Sequence, residues 1–191
     1  MKRVIIVHAW DDHPKSNWYP WLKKELEKIG FKVIVPIMPN TSKPKIKEWI
    51  SYLKKVVGRL DKETYFVGHS IGCQTILRYL EQENFRSKIP GILFVAGWFK
   101  LAHLEGKEVK KIAQPWLKTS INFTKIKPKI SKLTVFLSSN EPYGYVEENQ
   151  RIFNEKLGAK IVIMKNKGHF TSADGVDKLF NALNSIKEMM T

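Results

Sequence analysis

The chain has 191 residues, 43% hydrophobic and 12% aromatic, and its 33 Lys and Arg outnumber 18 Asp and Glu for a formal charge of +15. That length and composition predict one globular domain spanning 1–191, with enough apolar residues for a real core, and exclude a disordered chain. The single cysteine, Cys73, excludes an internal disulfide and a CxxC metal knuckle, and no apolar run approaches the roughly 20 residues needed to span a bilayer.

The basic balance admits two readings. Attraction to nucleic acid or an anionic surface would favour clustered arginine forks. Arginine occurs only at Arg3, Arg59, Arg78, Arg86 and Arg151, whereas lysines are spread along every segment. A solvated lysine-rich surface is therefore expected, with neither a nucleic-acid nor a membrane partner. The start MKRVIIVHAWDD carries an apolar stretch of only strand length with no small-residue cleavage site after it, so a cytoplasmic protein is expected.

In chain order, short β-branched runs alternate with helical patterns. Val4–Val7, Phe31–Val35, Thr64–Val67, Ile92–Val95, Leu133–Leu137 and Ile161–Met164 read as strands, and their unbroken apolarity predicts burial on both sheet faces. Between them, Trp18, Leu22, Leu26 and Ile29 form one helical stripe, and Ile46, Trp49, Ile50, Leu53, Val57 and Leu60 a longer one. Ile71, Thr75, Leu77 and Leu80 follow the third strand, and Val176, Leu179, Phe180, Leu183 and Ile186 close the chain. EKIG and EKLG are glycine helix stops, each followed at once by a strand. The alternation predicts an α/β fold of about six mostly parallel strands with helices on both faces. Residues 98–131 break the rhythm and are expected to form a short cap over the carboxyl ends of the strands, where open α/β sheets bind ligands.

TYFVGHSIGCQTILRYL holds the most specific signal. Gly68-His69-Ser70-Ile71-Gly72 is a G-x-S-x-G nucleophile elbow in strand–turn–helix context, with the glycines sparing Cβ clashes around a strained serine. The helix start beneath it offers backbone N–H groups to an oxyanion. His69 is expected to point away from Ser70, and Cys73 to be a buried small residue. After the last strand, KNKGHFTSADG places His169 where the base of an α/β-hydrolase falls in the chain order Ser, acid, His. His8 is a weaker base candidate, on a loop expected to shape the oxyanion hole. Asp11-Asp12-His13 is read as loop polarity rather than a metal site; no metal or other cofactor is expected.

HAWDDHPKSNWYPWLKKELEKIGFKVIVPIMPN, FVGHSIGC, GILFVAGW, SSNEPY and KGHF together resemble the small serine hydrolases of the retinoblastoma-binding protein nine type, over nearly the whole chain. The resemblance implies a compact α/β-hydrolase that cleaves small esters or amides, with one branch associated with protein binding. By position it puts the nucleophile on Ser70, the base on His169 and the oxyanion donors on the N–H groups of Ile71 and Trp10. Two departures stand out. His8-Ala9 replaces the family's His-Gly, and the acid before Pro-aromatic is Glu141 rather than an aspartate. Glu141 is expected to hold His169 by Nδ1, in preference to Asn140, Glu147, Glu148 or Asp174. Trp10, Trp98, Phe99 and Trp116 are candidates for an apolar acyl or aryl pocket. The expected activity is that of a metal-independent, carboxylesterase-like serine hydrolase acting through an acyl-enzyme on a small ester or amide; the alternative is a non-catalytic protein-binding module on the same scaffold.

Overall fold

All six β-branched runs form strands that pair in parallel. In the computed structural model, which describes residues 1–191, they are β1 (Arg3–Val7), β2 (Lys32–Ile34), β3 (Thr64–His69), β4 (Ile92–Val95), β5 (Leu133–Ser138) and β6 (Lys160–Met164), in sheet order β2-β1-β3-β4-β5-β6. The order reverses direction at β1 and β3, which pair in register from Arg3 opposite Thr64 to Val7 opposite Gly68. At such a switch point the connections diverge to opposite faces and leave a crevice at the strand ends.

Side chains alternate across the sheet and feed two cores. Phe66 and Phe94 join the core on one face, and Tyr65, Val67, Leu93 and Val95 that on the other. Helices α1 (Tyr19–Lys28) and α7 (Phe180–Met189) cover the second face. Helices α2 (Ile46–Val57), α3 (Ile71–Gln82), α4 (Lys107–Lys118), α5 (Phe123–Ile126) and α6 (Val146–Leu157) belong to the first. The four inner strands are buried on both faces as expected, but the edges are not. β2 has only three residues, and Ile163 on β6, the strand at the other edge of the sheet, is 45% exposed.

Three helices are shorter than their apolar stripes: Trp18 and Ile29 flank α1, the first fully buried and the second 37% exposed. Leu60 lies beyond α2, and Val176 and Leu179 lie before α7, yet all three are buried. Phe180 is 61% exposed and packs edge-on against Trp21 instead of entering the core. The two glycine stops behave as expected: Gly30 and Gly158 take φ of 90° and 69°, which close the helix ends and turn the chain into β2 and β6.

Residues 98–131 contain no strand and are tied down by a buried cation. Arg78 of α3 donates to Gln74 Oε1 at 2.9 Å and to the carbonyls of Trp116 (3.1 Å), Thr119 (2.8 Å) and Ser120 (3.4 Å). A guanidinium at the carbonyl end of α4 meets the negative end of the helix dipole, which suits a charge removed from water. Trp116 adds its indole N–H to the Pro44 carbonyl at 3.1 Å. No helix is long and apolar enough to cross a membrane.

Candidate active site

The turn from Gly68 to Gly72 is set by sterics. Ser70 takes φ 53° and ψ −120°, a backbone that L-residues rarely adopt, at the tip between β3 and α3. A Cβ on Gly68 would lie 2.8 Å from the Cys73 nitrogen, and one on Gly72 would lie 2.2 Å from the Val7 carbonyl oxygen. Only glycine lets α3 approach the sheet this closely. Ser70 itself is fixed by its N–H, which donates to the Val95 carbonyl at 2.9 Å. Cys73 is fully buried, its thiol aimed at the Val95 carbonyl at 3.6 Å and pushed far up in pKa by burial, which makes it inert as a nucleophile.

His169 is held by hydrogen bonds from several directions. Its Nδ1 lies 2.8 Å from Glu141 Oε1, and both side chains are largely shielded from water. The same Glu141 oxygen accepts the Tyr143 N–H at 3.3 Å, and the Tyr143 ring stands edge-on to the imidazole at 5.0 Å. Asn140 does not reach the ring; its Oδ1 accepts the Gly168 N–H at 2.9 Å. Asp174 also serves the backbone, accepting N–H groups of His169 and Thr171 at 3.0 Å each and the Thr171 hydroxyl at 2.7 Å. Burial pushes the Asp174 carboxyl up, but these donors outweigh it and hold the group below its usual value. Glycine is required before His169, because a Cβ on Gly168 would meet Asp174 Oδ1 at 2.0 Å.

Serines 138 and 139 and Asn140 complete this support in a way the sequence did not disclose. Ser139 Oγ, Ser138 Oγ and Asn140 Oδ1 accept the consecutive N–H groups of Asn166 (3.1 Å), Lys167 (2.9 Å) and Gly168 (2.9 Å). Three polar side chains at the end of β5 and just beyond it thus stitch the loop after β6 into place. The one available hint was a run of small polar residues at a strand end, which is common turn chemistry.

His69 points away from the Ser70 side. Its Nε2–H donates to the His169 carbonyl at 2.7 Å, and its Nδ1 lies 2.6 Å from Tyr19 Oη. Tyr19 Oη also lies 2.6 Å from Asp12 Oδ2 and accepts the Ala9 N–H at 3.2 Å, so one phenolic proton serves two acceptors. Burial, reinforced by the neighbouring His169, lowers His69 to about 3 and keeps it neutral. Asp12 is therefore engaged with Tyr19 and Asn17, and His13 Nδ1 accepts the Lys15 N–H. His8 is fully buried and shapes the loop after β1: its Nδ1–H donates to the Ala9 carbonyl at 2.8 Å and its Nε2 accepts the Met38 N–H at 3.1 Å. Ala9 replaces a glycine without strain, since its φ is not positive.

A cavity of about 680 Å³ opens where these loops meet, lined by Ser70 and His169 with Trp10 and Trp98. Leu101, Leu104, Val109 and Ile112 form an apolar wall, and Lys43 reaches Glu108 of α4 at 2.7 Å on its rim. Of the four aromatic candidates, Trp10 and Trp98 line this cavity; Phe99 packs on Phe153 and Phe123, and Trp116 on Trp49. The backbone N–H groups of Trp10 and Ile71 take no acceptor within the chain. At rest Ser70 Oγ makes no hydrogen bond to His169; it accepts the Trp98 indole N–H at 3.1 Å.

Parallel strands switching at β1 and β3, with a strained serine on a G-x-S-x-G turn at their carboxyl end, define an α/β-hydrolase. The serine hydrolase family model matches residues 4–188, and the chain belongs to that family. It is 27% identical to the hydrolase YdeN of Bacillus subtilis (strain 168), over 93% of this chain and 90% of that protein. It is 25% identical to the serine hydrolase RBBP9 of Rattus norvegicus, over 100% of this chain and 96% of that one. The crystal structure of the B. subtilis ydeN gene product superposes with a TM-score of 0.90 at 25% identity, covering 100% and 99% of the two chains. Est1E from Butyrivibrio proteoclasticus shares the fold at a TM-score of 0.73 and 15% identity, over 99% and 86% of the chains. The family match and the two relatives in sequence support hydrolase activity for the chain, and Est1E shows the fold alone.

Proposed function

We propose that the chain hydrolyses a small ester or amide through an acyl-enzyme, with Ser70 as nucleophile, His169 as base and Glu141 as the acid that orients it. The observation that carries this reading is the convergence on one cavity of a strained elbow serine and a histidine whose Nδ1 is engaged by a carboxylate. Such a carboxylate fixes the tautomer that presents Nε2 to the serine and stabilises the imidazolium that follows. The serine–histidine contact is open at rest, as catalytic hydrogen bonds often are before substrate binds.

Ser70 Oγ attacks the acyl carbon as its proton passes to His169 Nε2. The N–H groups of Trp10 and Ile71 receive the oxyanion, and His169 returns the proton to the leaving oxygen or nitrogen. Water then enters by the same route and the acid departs. This chemistry needs no metal. The apolar wall of the cavity fits an acyl or aryl group, and residues 98–131, which supply most of it, act as the cap. Glu141 in place of aspartate and the family's protein-binding branch are the grounds for a non-catalytic binding module; the 2.8 Å contact of Glu141 to His169 favours catalysis.

The test is labelling of purified protein with a fluorophosphonate. Wild type is expected to form one adduct, on Ser70, and Ser70→Ala none. An unlabelled wild type, or equal labelling of the variant, would overturn the proposal.

A further inference from the structure

Resting on that reading, we infer that Trp98 is a catalytic residue: its indole N–H is a fixed hydrogen-bond donor to the nucleophile oxygen. The contact is Nε1 to Ser70 Oγ at 3.1 Å, with Trp98 only 3% exposed. A buried indole N–H needs a partner, and among the atoms around this ring it is the reacting one that accepts.

The indole is not free to swing away. Three successive residues after β4 are clamped by two buried amide side chains. Gln74 Nε2 donates to the Trp98 carbonyl at 3.0 Å. Asn149 Oδ1 accepts the N–H groups of Phe99 and Lys100 at 2.8 and 3.0 Å, and its Nδ2 donates to the Lys100 carbonyl at 3.0 Å. Gln74 is held in turn by Arg78, the cation that fastens the end of α4. The donor is thus placed by α3 and α6 independently of Ser70, as preorganised catalytic dipoles are.

The chemistry follows from donor counting. Indole N–H donates only, while a serine hydroxyl has one proton and two acceptor sites. Trp98 fills one acceptor site and leaves the hydroxyl proton for His169. In the acyl-enzyme the ester oxygen is a poor acceptor, so the contact weakens. When water adds to the acyl carbon, its proton goes to His169. The C–Oγ bond then breaks, its electron pair falls on Oγ, and His169 returns the proton. Trp98 donates to Oγ at the moment charge builds on it, and likewise in the reverse sense during attack. It serves the nucleophile oxygen, whereas the Trp10 and Ile71 N–H groups serve the carbonyl oxygen.

The experiment compares wild type, Trp98→Phe and a protein carrying benzothienylalanine at position 98, an isostere with sulfur in place of N–H. The readouts are the second-order rate of fluorophosphonate labelling, and kcat and KM for a p-nitrophenyl ester. Loss of one donor to an oxygen that gains charge is expected to slow labelling and kcat by roughly 10- to 100-fold in both variants. KM should stay within about twofold, because the ring that lines the cavity remains in the isostere. Labelling and kcat at the wild-type level in both variants, or a loss in the phenylalanine variant alone, would overturn the Trp98 role. A wild type that takes no label would overturn the Ser70 reading and the Trp98 role with it, so the two failures are distinguishable.

Discussion

Ser70 and His169 face one cavity, but the chain places them by different means. Around Ser70 the restraint is shape: two glycines admit a helix against a strand, and the serine backbone follows from the turn. Around His169 the restraint is a set of polar side chains drawn from two loops and the end of β3. Glu141 holds the ring, Asn140 and Asp174 hold the backbone N–H groups, and His69 takes the carbonyl. Local sterics act in a motif of five residues and cannot be partly satisfied. A hydrogen-bonded loop divides the task, so any one member can be lost with the loop still near its place.

That contrast sets the size of what mutation should do. Removing the charge that faces the ring is expected to have the largest effect on turnover. Glu141→Gln should lower kcat by about 10³- to 10⁴-fold, with thermal stability near that of wild type. An unchanged kcat would show that Glu141 does not serve His169. On the steric side, Gly72→Ala forces a Cβ into the Val7 carbonyl and should cost about 3 kcal/mol or more of unfolding free energy, read from urea denaturation. A loss below about 1 kcal/mol would mean that the elbow gives way more easily than its geometry implies.

Acid should loosen the hydrogen-bonded side. His69 is neutral in the fold down to about 3, and His8 is likewise lowered by burial, whereas unfolded histidine binds a proton near its ordinary 6.5. Between these values the unfolded chain holds more protons, so stability is full above about pH 6.5 and declines as pH falls toward 3. Each histidine contributes a slope of at most about 1.4 kcal/mol per pH unit. Urea unfolding between neutral and acid pH should show the decline, and His69→Gln should flatten it. A smaller change is expected from Asp174→Asn. The side chain is mostly solvated, so the loss is about 1 kcal/mol, with a modest fall in kcat/KM as the His169 loop relaxes. An equal fall in Glu141→Gln and Asp174→Asn would erase the distinction between holding the ring and holding the loop.

The same contrast explains what the sequence disclosed. β-branched runs and glycine stops located the strands and helices, because those signals are local. The tight turn at Ser70 was legible for the same reason, and the proximity of Glu141 to His169 was expected from chain order and resemblance. The stitching of Asn166, Lys167 and Gly168 to Ser139, Ser138 and Asn140 was not legible, since it joins residues 27 to 29 positions apart through ordinary turn residues. Nor was the link from His69 to the His169 carbonyl, which spans 100 positions. Trp98 was visible as an apolar aromatic, but its N–H acquired meaning only when the chain after β4 was seen folded against Ser70. The edge strands were overestimated because continuous apolarity does not say how many neighbours a strand will have.

The backbone at Ser70 has a consequence for how this chain can change. A side chain at φ 53° and ψ −120° carries strain of about 1–3 kcal/mol, which glycine would relieve at a cost of about 0.4–1 kcal/mol in unfolded-chain entropy. With water in the cavity taking over the Trp98 indole N–H, Ser70→Gly should therefore raise the denaturation midpoint by the equivalent of about 1 kcal/mol while abolishing labelling. The sequence that folds best is thus not the one that reacts. Freed from any demand for the proposed chemistry, the chain would gain stability by discarding this side chain. On the proposed mechanism a serine at this backbone serves chemistry at the expense of stability, and a calorimeter could measure how much.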